Sequence, residues 1–200
     1  MGKEKFKEIL GKEVKRVDNL AISKRHERVI EGFTEEECPR AIISNKKYIL
    51  FNSNDYLGLR FNKGVKEAKN EFSEKYGISA GAVRFISGTM KAHKDLEREI
   101  ANFHNREDAI IFSSAFATNF GVLHSLIRGQ SADSIVSSDV LVISDELNHR
   151  SIIDGIRVAN ISKEQKKLFK HLDYADLRNI LQDNEGKFSR VLIITDGIFS

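Results

Sequence analysis

Val140 to Ile143 is an unbroken apolar run that ends in Ser144 and opens onto Asp145-Glu146-Leu147-Asn148-His149-Arg150-Ser151-Ile152-Ile153-Asp154-Gly155. A short apolar run without alternation predicts a strand buried on both faces, as in a parallel sheet. The polar cluster with its histidine then falls at the carboxyl end of that strand, where open α/β sheets bind ligands. Two further runs repeat the design. Ala109 to Phe112 ends in Ser113-Ser114 and opens Ala115-Phe116-Ala117-Thr118-Asn119, while Val191 to Ile194 ends in Thr195-Asp196 and reaches Ser200. Three strands are expected to deliver polar groups to one edge.

The segments around these strands read as helices and loops. From Lys3 to Leu20, Phe6, Ile9, Leu10, Val14, Val17 and Leu20 recur at helical steps, predicting an amphipathic arm that buries Phe6, Leu10 and Val17. Thr34 to Pro39 reads as a solvated connection and Tyr48 to Phe51 as a short strand. Asn52 to Gly58 is a turn whose Asn and Asp side chains can bond their own backbone or a ligand. Lys63 to Tyr76 is a helix by composition, and Gly77 to Gly88 is a loop of small residues around Arg84 and Phe85. Thr89 is the expected N-cap of a helix running to Phe103, with Leu96, Ile100 and Phe103 on its buried side and His93 as a packed or capping histidine.

After the first core strand, the Ser113 to Asn119 turn feeds a helix bearing Phe120, Val122, Leu123, Leu126 and Ile127. Its unpaired backbone N–H groups would welcome a phosphate, although a simply capped helix start explains the same residues. Gly129 to Asp139 is a polar loop. Ile152 to Ala159 continues as a helix, followed by a short strand over Lys167 to Leu172, a helix over Tyr174 to Leu181 and the strand Val191 to Ile194. Such alternation predicts βαβ units: an α/β fold with a mostly parallel sheet and helices on both faces.

Composition narrows the function classes. Lys plus Arg number 32 against 29 for Asp plus Glu, a formal charge of +3 spread along the chain, so no basic block points to nucleic acid. The single cysteine, Cys38, excludes an internal disulfide framework, and no paired-cysteine spacing suggests a metal. No secretory signal or run of apolar residues long enough for a membrane span is present, so the reading is a cytoplasmic protein without membrane or nucleic-acid partners.

Six stretches in order resemble the α-oxoamine synthases, a family of fold-type I pyridoxal phosphate enzymes. They are Asn54-Asp55-Tyr56-Leu57-Gly58-Leu59; Arg84-Phe85-Ile86-Ser87-Gly88-Thr89 with His93, Leu96 and Glu97; Ser113 to Asn119; Ser144-Asp145 with Asn148-His149-Arg150-Ser151-Ile152; His171 with Asp173; and Thr195-Asp196-Gly197-Ile198-Phe199-Ser200. The wording looks most like the 2-amino-3-ketobutyrate CoA ligase branch, with the 8-amino-7-oxononanoate synthase and serine palmitoyltransferase branches nearly as similar.

The resemblance implies a fold-type I transferase, with an N-terminal helical arm and connection over 1–47 and the first part of a large cofactor-binding domain over 48–200. Pyridoxal 5'-phosphate is the implied cofactor, and the implied reaction is a Claisen-type condensation of an amino acid such as glycine with an acyl-CoA, releasing CoA. By the same resemblance, Ala115 and Phe116 hold the cofactor phosphate, His149 stacks on the pyridine ring and meets substrate, Ser200 bonds near the phenolic oxygen, and Asn54 reaches the substrate. Asp196 orients the strand end. For His171 and Asp173, helix capping or packing is the simpler reading. Arg25 and Arg28 could meet an acid-bearing acyl chain or lie solvated. A homodimer with a shared site is implied.

The sequence departs from the family in a longer 129–145 segment and in Ala115, where many members carry glycine or cysteine. It also reaches Ser200 without the family's catalytic lysine or the aspartate that pairs with the pyridine nitrogen, which implies the N-terminal part of a chain about twice as long. Two rival readings remain: a non-catalytic partner subunit of the same family, and a nucleotide-binding α/β module. The second lacks both the P-loop and the dinucleotide glycine pattern.

Overall fold

The computed structural model describes residues 3–20, 28–34 and 40–199. The chain forms two compact units, 1–79 and 80–200.

In the first unit, α1 (Lys3–Asp18) is a charged helix carrying ion pairs such as Lys12–Glu8 at 2.6 Å. Phe6, Leu10 and Val17 are exposed. The helical reading of the arm stands, but among the described residues its apolar stripe is not buried, because no other element of the unit packs over it.

A three-stranded antiparallel sheet follows, β1 (Gly32–Phe33), β2 (Ala41–Ile43) and β3 (Lys46–Tyr48). The turn between β2 and β3 is Ser44-Asn45, with φ of 49° and 60°. Two central residues at positive φ match the twist of a tight hairpin. The Glu31 carboxylate accepts both turn N–H groups, at 3.1 and 3.2 Å. The strand expected over Tyr48 to Phe51 therefore ends where it was to begin, and Asn45 in a two-residue gap was the available signal. Helix α2 (Lys63–Tyr76) starts at Asn62, whose side chain accepts the Val65 N–H at 3.1 Å.

The second unit is built on β4 (Val140–Asp145), with every residue buried. It is the middle strand of a parallel sheet between β5 (Lys166–Phe169) and β6 (Arg190–Ile194), in register Ser144 with Leu168 and with Ile194. The side chains of β4 alternate between two cores. Val140 and Val142 meet Leu123 and Ile127 of α4 (Ala115–Arg128) and Ile152 and Ile156 of α5 (Arg150–Val158). Leu141 and Ile143 meet Phe169 and, on the same face, Leu177, Ile180 and Leu181 of α6 (Tyr174–Asp183). Helices thus cover both faces of a parallel sheet, as the strand pattern predicts. Each fully buried Leu, Ile or Val contributes roughly 1.5–3 kcal/mol, so β4 anchors the unit.

Three expectations are corrected here. Ala109 to Phe112 joins no strand ladder among the described residues. Ile111 instead donates its N–H to Glu97 at 3.0 Å, and its carbonyl accepts from Arg84 at 3.2 Å, so charged side chains replace a neighbouring strand. Glu97 belongs to α3 (Lys91–Phe103), whose N-cap is Met90 rather than Thr89. The buried residues of α3 are Glu97 and Ala101, while Leu96, Ile100 and Phe103 are exposed. The face turned inward is selected by the ion pair of Glu97 with Arg84, a choice that apolar periodicity cannot register. His93 does cap the helix, its Nδ1 accepting the Met90 N–H at 3.0 Å.

Candidate functional site

The starts of α4 and α5 hold the expected groups. Ser114 caps α4, its hydroxyl accepting the Ala117 N–H at 3.1 Å, and its carbonyl accepts the Thr118 N–H at 3.0 Å. The N–H groups of Ala115 and Phe116 precede the first helical bond and have no intrahelical acceptor, and the helix dipole adds positive potential there. They are donors suited to an anion such as a phosphate.

His149 is the N-cap of α5 and exposed at the strand's carboxyl end. Its backbone N–H donates to the Asp196 carboxylate at 2.7 Å. Its ring Nδ1 accepts the Ser151 N–H at 3.2 Å and lies 2.7 Å from the Ser151 hydroxyl. Asn148, buried, donates to Ser144 Oγ at 2.9 Å and to the Ile194 carbonyl at 2.8 Å, and its own oxygen accepts the Asp196 N–H at 2.9 Å. This side chain stitches the ends of β4 and β6 together and sets Asp196 under His149.

The two helix starts are also joined to each other. Asn119, one turn along α4 from Ala115, donates its Nδ2 to Ser151 Oγ at 2.9 Å. The close approach depends on Gly155, one turn beyond Ser151: a Cβ there would lie 3.0 Å from the Asn119 carbonyl and 3.1 Å from Leu123 Cδ1.

A second histidine sits at the same strand end. His171 Nδ1 lies 3.0 Å from Asp145 Oδ2, and its ring packs edge-on to Phe199 with centroids 4.3 Å apart. Asp173 caps α6, accepting the Asp176 N–H at 2.9 Å. Capping and packing are what these residues do.

Of the expected site residues, the second unit brings together Ala115, Phe116 and His149. Asn54 belongs to the first unit, where it is exposed in a groove of about 1080 Å³ lined also by Arg28, Tyr48, Asp55 and Arg60. Ser200 and Arg25 lie outside the described residues. Asn119, Ser151 and the full part played by Asn148 escape a reading of the sequence. Ser151 and Asn148 flank the histidine in the motif, but Asn119 is joined to it only by the packing of two helices. No group of three or more His, Cys, Asp or Glu arranged to hold a metal occurs among the described residues, and no described helix is long and apolar enough to cross a membrane.

A parallel sheet with helices on both faces, carrying a capped helix start and a histidine at its strand ends, is an α/β fold, and likeness to known proteins makes it that of the fold-type I transferases. The sequence model of the aminotransferase class I and II family matches residues 46–200, and the chain belongs to that family. It is 44% identical over 171 residues to an 8-amino-7-oxononanoate synthase of Treponema denticola, covering 86% of this chain and 40% of that protein. An 8-amino-7-oxononanoate synthase 1 of Bacillus subtilis is 41% identical, with 86% and 40% covered. Among solved structures, a serine palmitoyltransferase of S. paucimobilis superposes with a TM-score of 0.77 at 25% identity, over 98% of this chain and 47% of that one. The chain spans about 40% of the length of the curated relatives it matches. These relatives agree with the α-oxoamine synthase resemblance.

Proposed function

We propose that the whole protein is a pyridoxal phosphate-dependent C-acyltransferase, condensing an amino acid with an acyl-CoA to an α-oxoamine and free CoA. The observation that carries this reading is the hydrogen bond from Asn119 to Ser151, which fixes the free amides at the start of α4 and the imidazole of His149 on one rim. The donor set fits the cofactor: two amides at a helix start suit its phosphate, and an exposed imidazole offers a ring face. When bound, pyridoxal phosphate acts as the electron sink that lets an amino acid Cα lose a proton and attack a thioester carbon.

The chain's own part is positioning. Ala115 and Phe116 would hold the phosphate through N–H groups, and His149 would lie against the ring and donate to substrate. Asp196 holds the His149 backbone at 2.7 Å and so fixes where the ring starts. Ser200 and Asn54 are assigned to the cofactor and substrate sides by resemblance. Residues 48–200 are read as part of the cofactor domain and 1–47 as its arm, in a cytoplasmic homodimer with a shared site.

The relatives' names favour the 8-amino-7-oxononanoate synthase branch over the ketobutyrate branch. That product name contains a carboxylic acid remote from the new ketone and a methyl beside the amine. It therefore implies alanine and a dicarboxylic acyl thioester as substrates, with the alanine carboxylate lost as CO2 alongside the released CoA. Arg28 and Arg60 on the Asn54 groove supply cations suited to such an acid. The test is to purify the full-length protein, record the visible absorption of bound cofactor and measure CoA release. Absorption with CoA release from alanine and a dicarboxylic acyl-CoA supports the reading. Release only with glycine and acetyl-CoA would return the assignment to the ketobutyrate branch, and a colourless, inactive protein would favour the partner-subunit reading.

A further inference from the structure

Two groups of Ser151, its backbone N–H and its hydroxyl, reach the inner nitrogen of His149. A backbone N–H can only donate, so the Ser151 N–H at 3.2 Å requires Nδ1 to be an acceptor. The Ser151 hydroxyl, 2.7 Å from the same nitrogen, has a single proton and receives the Asn119 amide N–H at 2.9 Å. With one lone pair of that oxygen engaged by Asn119, its proton is free to point at Nδ1, the acceptor that the Ser151 N–H already defines. A proton on Nδ1 would face the Ser151 N–H.

From this geometry we infer that Asn119 and Ser151 are positioning residues that hold the neutral His149 ring with its proton on Nε2, so that the outward edge of the imidazole is a hydrogen-bond donor. Second partners of this kind commonly decide which nitrogen of an imidazole carries the proton. The consequence for function rests on the reading above, in which His149 faces cofactor and substrate. A donor edge recognises an anionic or carbonyl oxygen and rejects an N–H or ammonium group, so the relay selects what His149 can hold. Ser151 is 1% exposed and Asn119 partly buried, which shields the relay from exchange with solvent.

Replacement of Asn119 by aspartate reverses the relay. A carboxylate accepts the Ser151 hydroxyl proton, leaving Oγ free to accept from Nδ1. The experiment is long-range proton–nitrogen NMR on full-length protein labelled with nitrogen-15 at histidine, without added cofactor and at alkaline pH, with His149 assigned by the signal lost in His149→Asn. The expected result is an Nε2–H ring in the parent protein and a new Nδ1–H population in Asn119→Asp, with kcat lower on the order of tenfold. Where Asn119→Asp fails to fold, Asn119→Leu removes the donor without adding a charge and is expected to give a weaker shift the same way. An Nδ1–H ring in the parent, or a tautomer unmoved by the folded variants, would overturn the inference. A tautomer that shifts while kcat stays at the parent value upholds the relay and instead sinks the catalytic reading of His149.

Discussion

Glu97 accepts the backbone N–H of Ile111 at 3.0 Å from a side chain that is 1% exposed. The same carboxylate is paired with Arg84 and with Lys94, so one acidic group ties the Arg84 turn, α3 and the segment leading to Ser114. Arg84 reaches that segment as well, through the Ile111 carbonyl. The capped start of α4 lies three residues further on.

Removing that carboxylate should therefore be costly. Glu97→Ala leaves the Ile111 N–H without its acceptor and the part-exposed Arg84 without its counter-charge, and losing these bonds to one buried carboxylate costs about 2 kcal/mol. Urea denaturation is expected to show a lower midpoint with an unchanged slope. A midpoint at the parent value would mean that water substitutes freely for Glu97.

The acid limb should report the same group. Hydrogen bonds from Arg84 and Lys94, and then from the Ile111 N–H, hold the Glu97 carboxyl well below the usual carboxylate range. A depressed folded-state value stabilises the fold above the unfolded value, near pH 4.3, and the contribution is lost as pH falls through the folded one. Stability should fall more steeply below about pH 4 in the parent protein than in Glu97→Gln. Parallel slopes in the two proteins would contradict this.

Two glycines on packed helices should respond oppositely to alanine. At Gly121 an added Cβ meets Phe112 Cε1 at 3.7 Å, an ordinary contact. Helix propensity then dominates, and Gly121→Ala is expected to stabilise by about 0.5–1 kcal/mol. At Gly155 the Cβ meets a backbone carbonyl at 3.0 Å, and Gly155→Ala is expected to destabilise by about 1 kcal/mol despite its propensity gain. Thermal melts of the pair test this, and a gain at both positions would show that α4 and α5 separate easily.

His149 carries two roles that substitution can divide. His149→Asn keeps an acceptor for the α5 cap, worth about 1 kcal/mol, but loses the ring, so stability should hold while kcat falls roughly a hundredfold. His149→Phe restores a ring face without the cap or nitrogen, and should recover cofactor affinity more than turnover. Cofactor titration, melting and steady-state rates on the full-length protein separate these. Parent turnover in His149→Asn would remove the histidine from the site.

The parts legible in the sequence are those written locally. The run Val140 to Ile143 reads as a strand buried on both faces because neighbouring residues supply the reason, while the expected turn over Ser113 to Asn119 marks the start of α4 although all but its first two residues are already helical. The buried face of α3 is not legible in apolar periodicity because its deciding group, Glu97, is charged, and its partner Arg84 is 13 residues away. The hairpin at Ser44-Asn45 leaves little trace in the sequence because its strands are only three residues long and show no alternation. At the site, His149 was visible through its flanking motif. Asn119 was not, since a bond to Ser151 across 32 residues exists only after two helices have packed.

The side chain of Asn148 spans two strands whose sequences lie far apart, binding Ser144, the Ile194 carbonyl and the Asp196 N–H. A one-residue slip of β6 against β4 would turn its side chains to opposite faces and carry Asp196 away from the His149 N–H. Any misaligned sheet would thus be marked by an Asn148 left buried without its partners, a state disfavoured by the desolvation of its amide. Assembly of the histidine's seat is in this way a proofreading step for strand alignment. The setting of His149 therefore depends on the register of a strand some 46 residues downstream.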